Sequence, residues 1–106
     1  MISTIRKRDG RVVPFDSGKI ESAILRAFAA SGSQKGADTA QRIAAQVIEE
    51  LEKNEAIPAS PLVEEVQDTV ERVLIDKGFV RTAKCYILYR AERSRVREMN
   101  TRLMKT

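Results

Sequence analysis

The sequence predicts an α+β fold, mostly α: a β-hairpin followed by four helices. Three observations carry this expectation. Asp9-Gly10 is a turn signal between two short runs, Ile-Arg-Lys-Arg and Arg-Val-Val-Pro-Phe. Four apolar stripes at helical steps of three and four follow it. The strands precede the helices without βαβ alternation, which excludes a doubly wound parallel sheet.

The hairpin spans Ile2 to Phe15. A two-residue turn would pair Arg8 with Arg11 and split Ile5 from Val13 and Phe15. A three-residue loop, Arg8-Asp9-Gly10 with Gly10 left-handed, pairs Lys7 with Arg11 and Ile5 with Val13. Ile5, Val13 and Phe15 then share one face, so this register is expected. Pro14 donates no ladder bond, which is tolerable if both strands are edges. A lone hairpin is marginal in water, so it must rest on the helices.

Asp16 or Ser17 caps the first helix, whose stripe is Ile20, Ala23, Ile24, Ala27 and Phe28 and whose stop is Gly32. A second helix is expected from Asp38 to Lys53, burying Ile43, Ala44, Val47, Ile48 and Leu51. Its Glu49, Glu50 and Glu52 read as a solvated surface. A third begins with Ser60 as cap and Pro61 as first helical residue, buries Val63, Val66, Val70, Val73 and Leu74, and stops at Gly78. The fourth begins near Phe79 or Val80 and is expected to bury Val80, Ala83, Ile87 and one of Tyr86 and Leu88. Beyond Arg90 the pattern thins to Val96, Met99 and Leu103 among arginines, as in an exposed helix.

The 106 residues fit one domain with one core. With no His, imidazole chemistry is excluded, and the single Cys85, read as a buried helix residue, makes neither a disulfide nor a zinc knuckle. Catalysis by this chain alone is not expected. No run approaches a membrane span, and no apolar core follows the charged N-terminus, so a cytoplasmic protein is expected. The net charge of +4 is uneven: +3 over residues 1–20, −5 over 21–78 and +6 over 79–106. Basic ends meeting over an acidic body would favour an anionic ligand.

The standard phosphate motifs are absent: Gly18-Lys19 is followed by Ile20, and no G-x-G-x-x-G occurs. A phosphate site is still buildable. Lys7 and Arg8 sit at the hairpin tip. Lys19 lies in the first turn of a helix, where free N–H groups favour an anion. Arg90 and Arg93 share a helical face. Each has a plainer reading, as a solvated lysine, a charged edge strand or a solubilising face. The acidic ridge Glu64, Glu65 and Asp68 reads as a helix start placed well against the dipole, and no spacing fixes a metal site.

Taken together, Lys7-Arg8-Asp9-Gly10-Arg11, Val13-Pro14-Phe15-Asp16 and Lys19-Ile20 resemble the opening signature of the ATP-cone domain. Val63-Glu64-Glu65-Val66-Gln67-Asp68 and Ala83-Lys84-Cys85-Tyr86-Ile87-Leu88-Tyr89-Arg90 resemble its second half. The resemblance spans residues 3 to about 93, in order and with spacing kept. It implies a regulatory module of ribonucleotide reductases that binds ATP or dATP between a hairpin lid and a four-helix bundle. It implies that Ile5, Lys7 and Arg8 contact nucleotide from the lid, that Lys19 binds phosphate, and that Ile20 neighbours the base or sugar. It places Ser60 to Glu64 near the base, and Arg90 at the basic end of the last helix. Mg²⁺ would accompany the phosphates. Val13 stands where some members have an acidic residue, so no ligand is assigned there.

The tail from Tyr89 to Lys105 resembles the link into the catalytic domain of anaerobic ribonucleoside-triphosphate reductases. The resemblance therefore divides the chain into an ATP-cone over residues 1–92 and a helical linker over 93–106, toward a catalytic domain this chain lacks. The partners implied are that domain and a second copy of the chain, with no membrane and no nucleic acid. The alternatives are a nucleotide-responsive DNA-binding repressor module, whose family carries a zinc ribbon absent here, and a helical protein-docking domain.

Overall fold

Ile5 pairs with Val13, flanked by Thr4 with Pro14 and Arg6 with Val12, so the antiparallel hairpin adopts the register that keeps its apolar residues on one face. The computed structural model describes residues 2–7, 9–54, 57 and 60–104, with side chains as far as Glu92. Strands β1 (Thr4–Arg6) and β2 (Val12–Pro14) precede helices α1 (Ser17–Ala30), α2 (Ala37–Lys53), α3 (Val63–Asp76) and α4 (Val80–Met104). The turn closes with Lys7 N–H donating to the Arg11 carbonyl at 2.8 Å and Gly10 N–H to the Lys7 carbonyl at 2.9 Å. Gly10 has φ +89°, the left-handed conformation the three-residue loop requires. The Asp9 carboxylate accepts from Arg11 N–H at 3.0 Å and from its Nε at 2.6 Å, and the backbone bond foremost holds its carboxyl below the ordinary range.

The expectation that both strands are edges is corrected. Arg6 N–H donates to the Pro61 carbonyl at 2.9 Å, and Arg6 forms a parallel bridge with Leu62. The Thr4 and Ser60 hydroxyls bond across the same seam. β1 is therefore the inner strand, and only β2, which carries Pro14, is an edge.

That seam also moves the start of α3. Ser60 and Pro61 do not open the helix: Ser60 faces Thr4, Pro61 is buried, and the N-cap is Leu62. Leu62 has no side-chain acceptor, so only the reciprocal half of a capping box forms, Leu62 N–H donating to Glu65 Oε1 at 2.8 Å. α1 is capped conventionally, with Asp16 Oδ1 accepting from Gly18 N–H at 2.9 Å. α1 and α3 end alike. Gly32 and Gly78 have φ +75° and +88°, and the next residue donates back to Phe28 or Leu74 at 2.9 and 2.8 Å.

The four helices close a ring, α1 against α2 and α4, and α3 against α2 and α4. Its core holds Ile24, Phe28, Ile43, Val47, Leu51, Val70, Val73 and Leu74. Phe79 meets Phe28 edge-to-face at 5.3 Å. Val63 and Ile48 are only half-buried. Glu50, read as surface, ties α2 to α3 through Arg72 at 2.7 Å.

The buried face of α4 differs from the expected one. Val80 and Ile87 are 50% and 42% exposed, and Leu88 is 70% exposed. Ala83 and Tyr86 are buried as expected, Thr82 is buried where Val80 and Ile87 were expected to be, and Cys85, expected to be buried, is half-buried. Thr82 is tolerated inside because its hydroxyl meets that of Ser31 at 3.0 Å. Burial, reinforced by Glu71 and Asp68 and opposed by Arg90, pushes the Tyr86 phenol up from 10.0 to about 12.

Two outcomes are expected. Gly78→Ala places a Cβ in a left-handed position and should cost about 1–2 kcal/mol in denaturant unfolding. Because the folded pKa of Tyr86 is raised, its contribution is fully present below pH 10 and is lost as pH rises through about 12. Stability-versus-pH curves of Tyr86→Phe should be flatter than the parent's in that window.

Candidate functional site

The end of the bundle where α1 and α3 begin is left open by the core and walled by the hairpin. A cavity of ≈ 770 Å³ lies there. Its position follows from chain direction. Arg26 of α1 reaches Tyr89 of α4 while Ser31 reaches Thr82, so these helices run antiparallel, and residues 86–90 of α4 lie near the start of α1.

Each wall supplies a different chemistry. The hairpin presents Ile5, Val13, Pro14, Phe15 and Lys7. α1 presents Lys19, Ile20, Ser22, Ala23 and Arg26, α3 presents Val63, Val66 and Gln67, and α4 presents Tyr86, Tyr89 and Arg90. Among the described residues, Lys7, Lys19 and Arg26 have no carboxylate within ion-pair distance. Arg26 Nη1 donates to the Tyr89 hydroxyl at 2.7 Å, and its guanidinium lies 5.9 Å from that ring's centroid. The start of α1 offers less bare backbone than expected, because Asp16 takes the Gly18 N–H. An anion here would meet the Lys19 side chain more than free helix N–H groups.

Arg90 is held differently. Its Nη1 donates to Asp68 Oδ1 and to Glu71 Oε1, both at 2.8 Å. Burial disfavours its charge, but these two bonds outweigh that and hold it above the ordinary arginine range.

Of the residues singled out in the sequence, Ile5, Lys7, Lys19, Ile20 and Arg90 line this one cavity. Ser60 and Glu64 are not on its wall: Ser60 bonds Thr4 behind β1, and Glu64 sits in the first turn of α3. Arg8 lies outside the described residues, and the side chain of Arg93 is likewise outside them. Sequence reasoning missed Arg26, Gln67, Tyr86 and Tyr89 as wall residues. The signal was present, since Lys19, Ser22 and Arg26 recur at steps of three and four, and Tyr89 and Arg90 lie three and four residues after Tyr86. No helix among the described residues is long and apolar enough to cross a membrane.

Comparison with known proteins agrees with this architecture. The chain is 42% identical over 105 residues to the vitamin B12-dependent ribonucleoside-diphosphate reductase of Thermoplasma acidophilum, a match covering 92% of this chain and 13% of that protein. It is 36% identical over 103 residues to the anaerobic ribonucleoside-triphosphate reductase of Escherichia coli, covering 97% and 14%. It is 35% identical over 104 residues to the ribonucleoside-diphosphate reductase subunit alpha of Chlamydia muridarum, covering 92% and 10%. The chain thus spans only about a tenth to a seventh of these relatives' length. The family described as the ATP cone domain matches residues 3–95, the hairpin, α1 to α3 and α4 as far as residue 95, and the chain belongs to that family.

Proposed function

We propose that this chain is an allosteric module that binds ATP or dATP in the cavity and reports the nucleotide balance to the catalytic domain of a ribonucleotide reductase. The observation that carries the reading is the cavity's two-ended chemistry. Three cations without carboxylate partners among the described residues, Lys7, Lys19 and Arg26, border an apolar wall of Ile5, Val13, Phe15 and Ile20. A nucleoside triphosphate has the same division, a polyanion joined to a flat and largely apolar base.

In this reading Lys7 and Lys19 bind phosphate oxygens, with Arg8 joining them as the family signature implies. Ile5 and Ile20 cover the base or sugar, and Arg90 closes the wall opposite. Ser60 and Glu64, which the family signature puts near the base, would approach it from the start of α3 and the segment leading into it, where the seam between β1 and residues 60–62 holds the hairpin. Mg²⁺ would travel with the phosphates, held by their oxygens and water. The helix through Met104 serves as a linker from residue 93 onward. The parent is an anaerobic ribonucleoside-triphosphate reductase, a reading supported by the tail motif and by the Escherichia coli relative. Closure of the hairpin on a nucleotide, differing between ATP and dATP at the sugar, would change contacts with the catalytic domain or with a second copy.

Ligand at 100 times its dissociation constant should stabilise the chain by about 2.7 kcal/mol, a rise in Tm of about 10 °C. A thermal melt with millimolar ATP or dATP reads this, and no shift with either would defeat the proposal. Lys19→Ala should remove most of the shift while leaving the ligand-free melt within about 0.5 kcal/mol of the parent, since Lys19 is exposed.

A further inference from the structure

Arg90 stands on the cavity wall with its charge already matched. Both hydrogens of Nη1 are committed, one to Asp68 and one to Glu71. A guanidinium carries five N–H donors, and the three on Nη2 and Nε have no acceptor among the described residues. The cluster sets one cation against two carboxylates. With the Arg90 side chain only 20% exposed, that balance is less screened than at a free surface. The group is therefore a rigid fork of donors without net positive charge. A polyanion gains little there, and a neutral acceptor gains most. Gln67, the neighbour of Asp68, adds a neutral amide to the same α3–α4 side of the cavity. The unmatched cations lie on the hairpin and α1.

We propose that Arg90 reads the nucleoside half of the bound nucleotide, donating to neutral acceptors of the sugar or base. Asp68 and Glu71 are positioning residues: they fix the guanidinium and cancel its charge. The phosphates are left to the hairpin and α1. This inference rests on the reading that a nucleotide occupies the cavity.

Isothermal titration of AMP, ADP and ATP at fixed Mg²⁺, at two salt concentrations, separates the possibilities. Arg90→Gln should weaken all three ligands by one common factor, about 10-fold or more, with the salt dependence unchanged. Lys19→Ala should lose more with each added phosphate and should flatten the salt dependence. An Arg90→Gln loss that grows from AMP to ATP, or no loss at all, overturns the inference. A melt verifies that each variant folds. The double variant Asp68→Asn with Glu71→Gln keeps Arg90 but frees its charge, so ATP should gain affinity over AMP and become more salt-sensitive. An unchanged ATP-to-AMP ratio overturns the positioning role. If the parent binds none of the three ligands, the nucleotide reading itself fails before any variant is compared.

Discussion

The hydrogen bond from Arg6 N–H to the Pro61 carbonyl sets the geometry on which the site depends. Two three-residue strands do not hold themselves together in water. Pairing β1 on its second edge with the segment before α3 gives it an inner position, and the Thr4–Ser60 hydroxyl contact lies on the same seam. Anchored there, the hairpin lies over the starts of α1 and α3 rather than over the outside of the bundle. The cavity is the space this placement leaves, and its apolar wall comes from the face that the register assigns to Ile5 and Val13.

Charge then divides the cavity. On the hairpin and α1, Lys7, Lys19 and Arg26 line the cavity with no ion-pair partner among the described residues, so three cations share that side with one carboxylate, Asp16, an excess that favours an anion there. On the cavity wall from α3 and α4, Arg90 is more than offset by Asp68 and Glu71. Asp16 is spent on capping α1, so it does not neutralise the cationic side through an ion pair. The opening asymmetry of basic ends around an acidic middle thus takes a specific form. The first basic end supplies Lys7 and Lys19, and Arg26 joins them from the middle segment. The last basic end supplies Arg90, which the acidic middle neutralises.

Much of this was legible in the sequence, and the misses have physical causes. The hairpin register could be read because only one alignment puts Ile5 and Val13 on the same face. Gly32 and Gly78 could be read as helix stops because both positions demand left-handed backbone. The seam at residues 60–62 could not, because a backbone hydrogen bond leaves no trace in side-chain type, and Ser-Pro reads equally as a helix start. On α4 the apolar residues lie nearly all round, so periodicity could not choose between Tyr86 and Leu88 and wrongly placed Val80 and Ile87 inside. The buried face was decided by Thr82, whose hydroxyl found Ser31. Lys7 and Lys19, singled out by a local signature, do line the cavity. Arg26 and the carboxylates holding Arg90 were not assigned to it, because their partners lie on other helices.

The central claim is that a nucleotide is held between the anchored hairpin and the bundle end. Amide hydrogen exchange with and without saturating ATP tests it most directly. Added protection should concentrate at Arg6, Lys7 and Gly10 and in the first turns of α1 and α3, leaving α2 unchanged. Protection spread evenly over the bundle, or confined to α2 or the outer face of α4, would contradict it.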